Sequence, residues 1–259
     1  MEVEQMQHCE IRNKHRVERA IIMAAGTGTR MRPVTLDTPK PLIRVNGVRM
    51  IDTVIRALQE NGIFEIYVVT GYQKEQFACL TENYEGVQLI ENPYWASCNN
   101  IASLYVAREH LENAMILDGD QMVYKKEILA PEFTRSGYNA IWTDAETDEW
   151  LMQVKDGIVC SCSRTGGKGG WQLFSVSRWN REDGKRLKRH LELEFEKKQN
   201  RQIYWDDVAM FCHFEEYELG IYPMQEGDLI EIDDFSELCD LDPSYCGYEA
   251  QGQEKSEEK

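Results

Sequence analysis

The chain has 259 residues, of which 42% are hydrophobic and 10% aromatic, so it can bury a sizeable core as one large domain or two small ones. Its formal net charge of -16 at pH 7 argues against a nucleic acid or an anionic membrane as partner, because such partners require a basic face. No stretch approaches the ~18 consecutive apolar residues of a membrane helix and the N-terminus lacks the apolar core of a signal peptide, so we predict a cytoplasmic protein.

The first half of the chain predicts a repeating pattern of strands and helices. Residues 1–18 are polar without an apolar stripe, and we interpret them as an extension that precedes a single domain at 19–243. The run at 20–24 is continuously apolar, which is typical of a strand buried on both faces. Apolar periodicity further predicts helices at 50–61, 74–82 and 101–110 and strands at 65–70, 87–91 and 114–117. This alternation indicates an α/β, Rossmann-like fold with a mostly parallel twisted sheet and helices on both faces.

The second half of the chain predicts a small antiparallel subregion. Residues 146–164 read as a hairpin that turns at Asp156-Gly157, whereas residues 166–170 are too rich in glycine for regular structure and predict a flexible loop that could close over a substrate. Residues 244–259 have a composition typical of disorder. The other predicted elements are strands at 171–177, 219–223 and 228–232 and helices at 183–199 and 234–241.

A glycine-rich loop follows the first predicted strand. Gly26 and Gly28 allow a ligand to approach the backbone N–H groups closely, and consecutive N–H groups form an anion-binding concavity. Arg30, Arg32 and Lys40 add positive charges suited to phosphate oxygens. The loop therefore predicts a nucleotide-binding site, although a glycine turn that merely closes a βα unit remains the alternative.

The phosphate loop does not match the two best-known motifs. The pattern GxxxxGK[ST] is absent, and Met31 occupies the third glycine position of GxGxxG. The longer string G-x-G-x-R-x-x-P-x-T-x-x-x-P-K-P, from Gly26 to Pro41, instead resembles the signature of nucleotidyltransferases that activate sugar phosphates and phospho-alcohols with a nucleoside triphosphate.

Two groups of carboxylates predict a Mg²⁺ site. Asp118 and Asp120 follow the predicted strand 114–117 and point the same way, and Glu231 and Asp233 lie on one face of a later strand. Mg²⁺ is usually held by one or two carboxylates together with substrate phosphates. Exposed acids of no function are the alternative in so acidic a chain. The eight scattered cysteines indicate neither disulfides nor a zinc site, and we interpret the histidines at 190 and 213 as surface or core residues.

Aromatic and acidic residues occur together twice in the second half, at 148–150 and at 204–207. Aromatic rings attract quaternary ammonium groups such as choline, and a nearby carboxylate adds further attraction. The alternative from composition alone is that Trp150, Tyr204 and Trp205 are ordinary core residues.

A wider resemblance covers the chain from Ala20 to about Leu238. It is similar to the bacterial CTP:phosphocholine cytidylyltransferases in five further stretches: NNIASLYVAREHL at 99–111, FTRS at 133–136, DEWLM at 148–152, YWDD at 204–207 and IEIDDFSEL at 230–238. The resemblance implies an enzyme that uses Mg²⁺, CTP and phosphocholine to make CDP-choline and pyrophosphate, for choline decoration of cell-surface glycans. Gln121 departs from the family pattern, which often has Asn at this position.

The resemblance also implies a role for each candidate site residue. The catalytic residues would be Arg30, Lys40 and Asp120, and the Mg²⁺ ligands would be Asp120, Glu231 and Asp233. The nucleotide would contact Ala24, Ala25, Gly26, Thr27, Gly28, Thr29, Arg30, Lys40, Gly71, Tyr72, Asn92, Asn99, Asn100 and Asp118, and the acceptor would contact Glu149, Trp150, Tyr204, Trp205 and Asp206.

Three alternatives to this function remain open from the sequence. A pocket rich in hydrogen-bond acceptors and poor in rings would favour a primary amine, phosphoethanolamine or 2-aminoethylphosphonate, as acceptor. A sugar-1-phosphate acceptor requires many partners for hydroxyl groups. A nucleotide-sensing relative without activity is the alternative from another class, and a homo-oligomer is possible in every case.

Overall fold

A computed structural model describes residues 14–247 of the chain. Residues 1–13 of the predicted extension and residues 248–259 of the predicted disordered tail lie outside the described range. The strands are β1 (His15–Arg16), β2 (Arg19–Ala24), β3 (Arg44–Val45), β4 (Val48–Arg49), β5 (Glu65–Thr70), β6 (Val87–Glu91), β7 (Ala114–Asp118), β8 (Gln121–Val123), β9 (Glu132–Phe133), β10 (Gly137–Thr147), β11 (Leu151–Lys155), β12 (Ile158–Ser163), β13 (Gly167–Trp179), β14 (Gly220–Pro223) and β15 (Leu229–Glu231).

Helical segments are mostly short. The α-helices are α1 (Met50–Glu60), α2 (Ala78–Asn83), α3 (Ile101–Val106), α4 (Arg181–Glu192) and α5 (Phe235–Leu241). Two π-helices, Leu193–Lys197 and Val208–Cys212, and several short 3₁₀ turns complete the described part. None of the described helices is long and apolar enough to cross a membrane.

The parallel half of the sheet confirms the prediction from the alternating pattern. Strands β6, β5, β2 and β7 lie side by side in parallel, and β2 lies between β5 and β7. Its side chains alternate between two buried clusters, with Ile21 and Met23 on one face and Ala20, Ile22 and Ala24 on the other. A strand buried on both faces is continuously apolar because neither face meets water.

Two predicted helices are shorter than their apolar patterns suggest. Residues 74–82 divide into a 3₁₀ turn (Lys74–Phe77) and α2, and residues 101–110 divide into α3 and a second 3₁₀ turn (Arg108–His110). The charged helix predicted at 183–199 begins at Arg181 as α4 and continues as a π-helix. Apolar periodicity alone does not separate α, 3₁₀ and π hydrogen bonding, since all three present one face to the core.

The antiparallel half forms a ring of strand pairings next to β7. Strand β13 pairs with β7 and β10, β10 pairs in parallel with β14, and the β11–β12 hairpin connects β13 to β14. The hairpin at Asp156-Gly157 confirms its prediction. The long strand β10 was not predicted, because two shifts of register along its pairing with β13 break the regular alternation of its side chains.

The prediction that residues 166–170 lack regular structure is wrong for residues 167–170, whereas closure over a substrate stays a prediction. Residues 167–170 begin β13, which pairs with β10 as far as Gly167 opposite Thr147. A Cβ at Gly170 would lie 2.8 Å from Leu151 Cγ on β11, and one at Gly166 would lie 1.7 Å from the carbonyl oxygen of Thr147. The glycines therefore allow a close approach of neighbouring backbones rather than a break in the sheet.

The folded region extends past both predicted boundaries. Strand β1 pairs with β9, and Val17 is 2% exposed, so packing begins before residue 19. At the other end, Pro243–Tyr245 forms a 3₁₀ turn in which the Tyr245 hydroxyl donates to the carbonyl oxygen of Arg44 at 2.8 Å. Both ends of the described chain are thus held against the domain.

Candidate active site

The glycine loop after β2 is packed against the turn that carries Lys40. Gly28 has a φ of 59°, and a Cβ there would lie 3.0 Å from both Lys40 Cβ and Thr35 Cγ2. The Thr35 hydroxyl donates to the carbonyl oxygen of Gly28 at 2.9 Å. A glycine is required at this position because the backbone is left-handed and leaves little space for a side chain.

Lys40 is the centre of a charged group at the floor of this loop. Its ammonium donates to Asp120 Oδ2 at 2.6 Å and to Asp233 Oδ1 at 2.9 Å, and Arg30 approaches the same Asp233 oxygen at 3.1 Å. Burial alone would lower the pKa of Lys40, but the charges of Asp120 and Asp233 raise it above its ordinary value. Lys40 is therefore a fixed positive charge at neutral pH.

The start of α5 holds Asp233 in this group. Asp234 caps the helix by accepting from the Glu237 N–H at 3.0 Å, and Glu237 in return accepts from the Asp233 N–H at 2.6 Å. Ile232 and Leu238 are buried against Met31 of the glycine loop. A capping box and a small apolar cluster thus bring residues from the end of the chain to its first loop.

Two adjoining clefts lie along the loop. The first encloses about 290 Å³ and the second about 180 Å³, and Gly26 and Thr27 line both. The first is lined by Met23, Ala24, Gly26, Thr27, Gly28, Thr29, Arg30, Lys40, Pro41, Asp120 and Asp233, and the second by Ala25, Gly26, Thr27, Asn92, Trp95, Cys98, Asn99, Asn100 and Ser103. Loop N–H groups and two cations suit the phosphates of a nucleotide in the first cleft, which leaves the second for its base.

Of the predicted nucleotide contacts Gly71, Tyr72 and Asn92, one lines this second cleft directly, namely Asn92. Gly71 does not line it, but a Cβ there would lie 2.6 Å from Trp95 Cβ, so Gly71 makes room for a ring that does. Tyr72 also lies outside the lining, and its hydroxyl donates to the carbonyl oxygen of Thr35 at 3.0 Å. Asn92 is buried, and its amide donates to Ser103 Oγ at 3.1 Å. Trp95, Cys98 and Ser103 were missed, because no motif distinguishes them from other residues of a helix and its preceding loop.

The predicted Asn pair lines the second cleft and also ties it to a distant segment. Asn99 donates through its amide to the carbonyl oxygen of Gln202 at 3.1 Å. The side-chain oxygen of Asn100 accepts from the backbone N–H of Trp205 at 2.8 Å. Residues 202–205, which are remote in sequence, are therefore fixed beside the cleft.

A third cavity of about 240 Å³ lies on the other side of the carboxylate group. Asp120 and Asp233 line both this cavity and the first cleft, and Asn100 joins it to the second cleft, so the three spaces meet around these residues. Leu173 and Ser175 lie in the strand predicted at 171–177 but were not predicted as site residues, because no motif marks them. The lining consists of Asn100, Asp118, Asp120, Glu149, Trp150, Leu173, Ser175, Tyr204, Asp206, Glu231 and Asp233.

Only two of the three predicted acceptor rings reach this cavity. Trp150 and Tyr204 line it and meet edge to face, with ring centroids 6.0 Å apart at 90°. Trp205 does not line it, because it is fully buried and packs 6.1 Å from Tyr138 and 6.3 Å from Trp179. The indole of Trp205 therefore belongs to the hydrophobic core and not to the wall of the cavity.

Four carboxylates in the cavity have no cationic partner. Within residues 14–247, Asp118, Glu149, Asp206 and Glu231 form no ion pair, whereas Asp120 and Asp233 share Lys40. Burial raises the pKa of Asp206 to about 8 and that of Glu231 to about 7. Burial and the charges of Asp120 and Glu231 also raise the pKa of Asp118 well above its ordinary range. The cavity thus groups acidic side chains that hold their protons without a cation nearby, and a bound cation would lower their pKa values and favour the ionised forms.

The predicted metal ligands are only partly assembled. Asp120 and Asp233 both contact the Lys40 ammonium, which shows that this pair attracts a cation, and their oxygens are the ligands that Mg²⁺ prefers. Glu231 does not join them closely enough to complete a set of three, and its Oε1 instead accepts from the Gln121 amide at 2.7 Å. The pair Asp120 and Asp233 therefore fits Mg²⁺ when completed by substrate phosphates, and Glu231 as a third ligand stays a prediction.

Comparisons with known proteins identify the family of the chain. The family described as the MobA-like NTP transferase domain matches residues 20–168. The chain is 39% identical to 2-aminoethylphosphonate cytidylyltransferase of Lancefieldella rimae, over 87% of this chain and 92% of that one, and 33% identical to choline-phosphate cytidylyltransferase of Streptococcus pneumoniae, over 83% and 93%. A solved structure of CTP:phosphocholine cytidylyltransferase from Streptococcus pneumoniae superposes with a TM-score of 0.79 at 32% identity, over 87% and 98% of the two chains. The chain therefore belongs to the MobA-like NTP transferase domain family, and it is a nucleotidyltransferase of the cytidylyltransferase group.

Proposed function

We propose that this enzyme transfers the cytidylyl group of CTP to a small primary amine that carries a phosphonate or phosphate, with 2-aminoethylphosphonate as the best-supported acceptor. The observation that carries the proposal is the group of four unpaired carboxylates, Asp118, Glu149, Asp206 and Glu231, in the third cavity. The proposal departs from phosphocholine, the acceptor that the sequence predicted.

The chemistry of the cavity favours an ammonium group with N–H donors. A primary ammonium offers three donors and can satisfy several carboxylates at once, whereas a trimethylammonium has no donor and relies on aromatic faces. Removal of Trp205 from the lining leaves two rings beside six carboxylates, which is a pocket rich in acceptors and poor in rings.

The relatives support both acceptors to different degrees. The relative at 39% identity is named for 2-aminoethylphosphonate and the relative at 33% identity for choline phosphate. Phosphocholine remains a second candidate because Trp150 and Tyr204 meet at a right angle in the cavity and could form two sides of a cage. With either acceptor, the product is an anhydride of CMP with the acceptor, a phosphonate in one case and a phosphate in the other, and such activation is suited to later transfer of the head group onto a cell-surface glycan.

The arrangement of the three spaces suggests how the reaction proceeds. The loop N–H groups, Arg30 and Lys40 hold the triphosphate in the first cleft, and the carboxylates of the third cavity hold the ammonium of the acceptor. An oxygen of the acceptor phosphonate attacks the α-phosphorus, the bond from that phosphorus to the bridging oxygen breaks, and pyrophosphate leaves. Such a reaction depends on positioning and charge neutralisation and requires no protein nucleophile.

Lys40 lies where the first cleft adjoins the third cavity. It lies between Asp120 and Asp233, which line both the first cleft and the third cavity, so its charge is close to both substrates. Asp120 and Asp233 would hold Mg²⁺, which when bound neutralises part of the triphosphate charge and of the pyrophosphate that leaves.

Pyrophosphate release in the presence of Mg²⁺ and CTP tests the proposal. The acceptors to compare are 2-aminoethylphosphonate, phosphoethanolamine, phosphocholine and glucose 1-phosphate. We expect kcat/KM to be highest for a primary amine and at least tenfold lower for phosphocholine. A preference for phosphocholine would overturn the assignment of the acceptor but retain cytidylyl transfer, and an absence of turnover with all four would overturn the activity itself.

A further inference from the structure

Two histidines and a glutamate come together on the far side of α4, outside the three spaces of the active site. His190 belongs to α4, His213 follows the second π-helix, and Glu216 ends the 3₁₀ turn Phe214–Glu216. One ring nitrogen of each histidine and a carboxylate oxygen of Glu216 lie within 4.8 Å of one another. Within residues 14–247 this is the single group of three potential metal ligands that meets that limit.

The distances in this group correspond to those between the ligands of one metal ion. His190 Nε2 lies 3.3 Å from Glu216 Oε2, and His213 Nδ1 lies 3.3 Å from Glu216 Oε1. The second of these contacts is a long hydrogen bond. Ligands at about 2.0–2.1 Å from a tetrahedral Zn²⁺ are separated from one another by roughly 3.3 Å. The two imidazoles are stacked with ring centroids 3.7 Å apart, so an ion bound by a nitrogen of each ring requires the rings to turn out of this parallel arrangement.

The other nitrogen of each ring is held by a buried or half-buried polar group. His190 Nδ1 is 2.8 Å from the Tyr217 hydroxyl, and His213 Nε2 is 2.9 Å from Glu194 Oε1. Glu194 is 1% exposed and is itself fixed by the Lys198 ammonium at 2.7 Å. In metal sites the ring nitrogen that does not bind the ion is usually hydrogen-bonded in this way to a carboxylate or another polar group, which orients the ring.

We propose that His190, His213 and Glu216 bind a single divalent cation of the zinc class. Two imidazoles and one carboxylate favour Zn²⁺ or another late first-row metal over Mg²⁺, which prefers oxygen ligands. Water would complete the coordination, because the Glu216 side chain is 55% exposed. The sequence showed no sign of this site, since the two histidines are separated by more than twenty residues and lack the spacing of a zinc finger.

The site connects α4 to the segment that forms one wall of the third cavity. Residues between His190 and His213 include Tyr204 and Asp206, which line that cavity. An ion at the two histidines would close this stretch of chain into a loop, and closing a loop stabilises the folded state by restricting the unfolded one. The ion therefore acts as a structural clip behind the acceptor pocket and takes no part in the transfer.

Cobalt titration of the full-length chain, purified without a histidine tag and stripped of metal, tests the proposal. Four-coordinate Co²⁺ gives visible absorption bands that Mg²⁺ lacks, and Zn²⁺ should displace it. We expect one equivalent of Co²⁺ per chain, displacement by Zn²⁺ but not by excess Mg²⁺, and a rise in Tm on addition of Zn²⁺.

Variants on the exposed side of the cluster locate the ion. Glu216→Gln should weaken Co²⁺ binding at least tenfold, and the adjacent exposed Glu215→Gln, which is the matched control, should leave it unchanged. His213→Gln should have the same effect as Glu216→Gln, and Glu194→Gln should weaken binding about tenfold by releasing the ring of His213. Absence of the bands in the wild-type chain, or bands unaffected by Glu216→Gln, would overturn the proposed site. Glu216 is exposed, so the Glu216→Gln variant tests the site even if His213→Gln does not fold.

Discussion

The two sides of the active site differ in how they manage charge. On the nucleotide side, Lys40 and Arg30 are paired with Asp120 and Asp233 before any substrate is present. On the acceptor side, four carboxylates remain without a cationic partner among residues 14–247. The nucleotide cleft is therefore pre-organised by internal ion pairs, whereas the acceptor cavity is organised for a cation that the substrate must supply.

The two sides also differ in how the chain builds them. Most of the first cleft comes from one continuous loop, residues 23–41, whereas the third cavity combines residues from β7, β13 and β15 and from five connecting segments. A site encoded by one loop is readable from a motif. A site assembled from distant segments depends on the packing of the whole second half, so substitutions that weaken this packing should alter acceptor binding indirectly.

Removal of the shared cation should have the largest effect. Lys40→Met should lower kcat by about 10²–10³, because it removes a fixed charge beside the triphosphate and leaves Asp120 and Asp233 to repel each other. Steady-state pyrophosphate release measures the loss, and circular dichroism verifies the fold. Lys74→Met, which removes a surface ion pair with Glu91, is the control and should retain full activity. A Lys40→Met enzyme with near wild-type kcat would remove Lys40 from the catalytic group.

Replacement of the buried tryptophan should affect stability rather than the choice of acceptor. Trp205→Leu should lower the free energy of unfolding by about 3 kcal/mol, since it opens space between Tyr138 and Trp179. Urea denaturation measures this change. The ratio of kcat/KM for 2-aminoethylphosphonate and phosphocholine should stay constant.

Trp150→Leu is the matched change on the cavity wall. It should lower kcat/KM for phosphocholine about threefold to tenfold and affect kcat/KM for the amine less. A trimethylammonium has no N–H donors and depends on the attraction of an aromatic ring, which leucine does not provide. A changed ratio in Trp205→Leu and a constant one in Trp150→Leu would reverse the roles assigned to the two rings.

Neutralising one carboxylate of the acceptor cavity should weaken binding of the amine acceptor and leave binding of CTP unchanged. Glu149→Gln should raise KM for 2-aminoethylphosphonate about tenfold, which corresponds to one charge-assisted hydrogen bond, while KM for CTP stays unchanged. Glu146→Gln is the control, because this exposed residue of β10 lies outside the cavity lining. Equal effects on both substrates would indicate that Glu149 contributes only to the general electrostatic field.

The last expected effect concerns stability and pH, without substrates. Burial raises the pKa of Asp206 from 3.8 to about 8 in the folded state, so the folded protein retains a proton that the unfolded chain releases. The stability due to this group is complete below about pH 4 and is lost as the pH rises through about 8. The Tm of the wild-type chain should therefore fall relative to that of Asp206→Asn between pH 5 and pH 8 in the absence of substrates. A constant difference over this range would show that Asp206 is ionised in the folded state.

The candidate site was predicted unevenly, and the physical reason is visible in particular residues. Gly28, Lys40, Asp120 and Asp233 were expected from motifs, and all four line the first cleft or its neighbour. Trp205 was expected on the cavity wall and lies in the core, because the letters YWDD do not indicate which of two adjacent rings faces inward. Glu231 was expected beside Asp233 but is directed to Gln121.

The sequence by itself determined the α/β class, the parallel strands β2, β5, β6 and β7, and the phosphate loop, because these depend on local periodicity and on short motifs. Only the tertiary structure decided where the glycines of β13 lie, which rings reach the acceptor cavity, and which carboxylates have no cationic partner within residues 14–247. These features depend on contacts between residues far apart in the chain, and His190, His213 and Glu216 are the clearest example. Burial and pairing are properties of the packed whole, so a linear pattern carries little information about them.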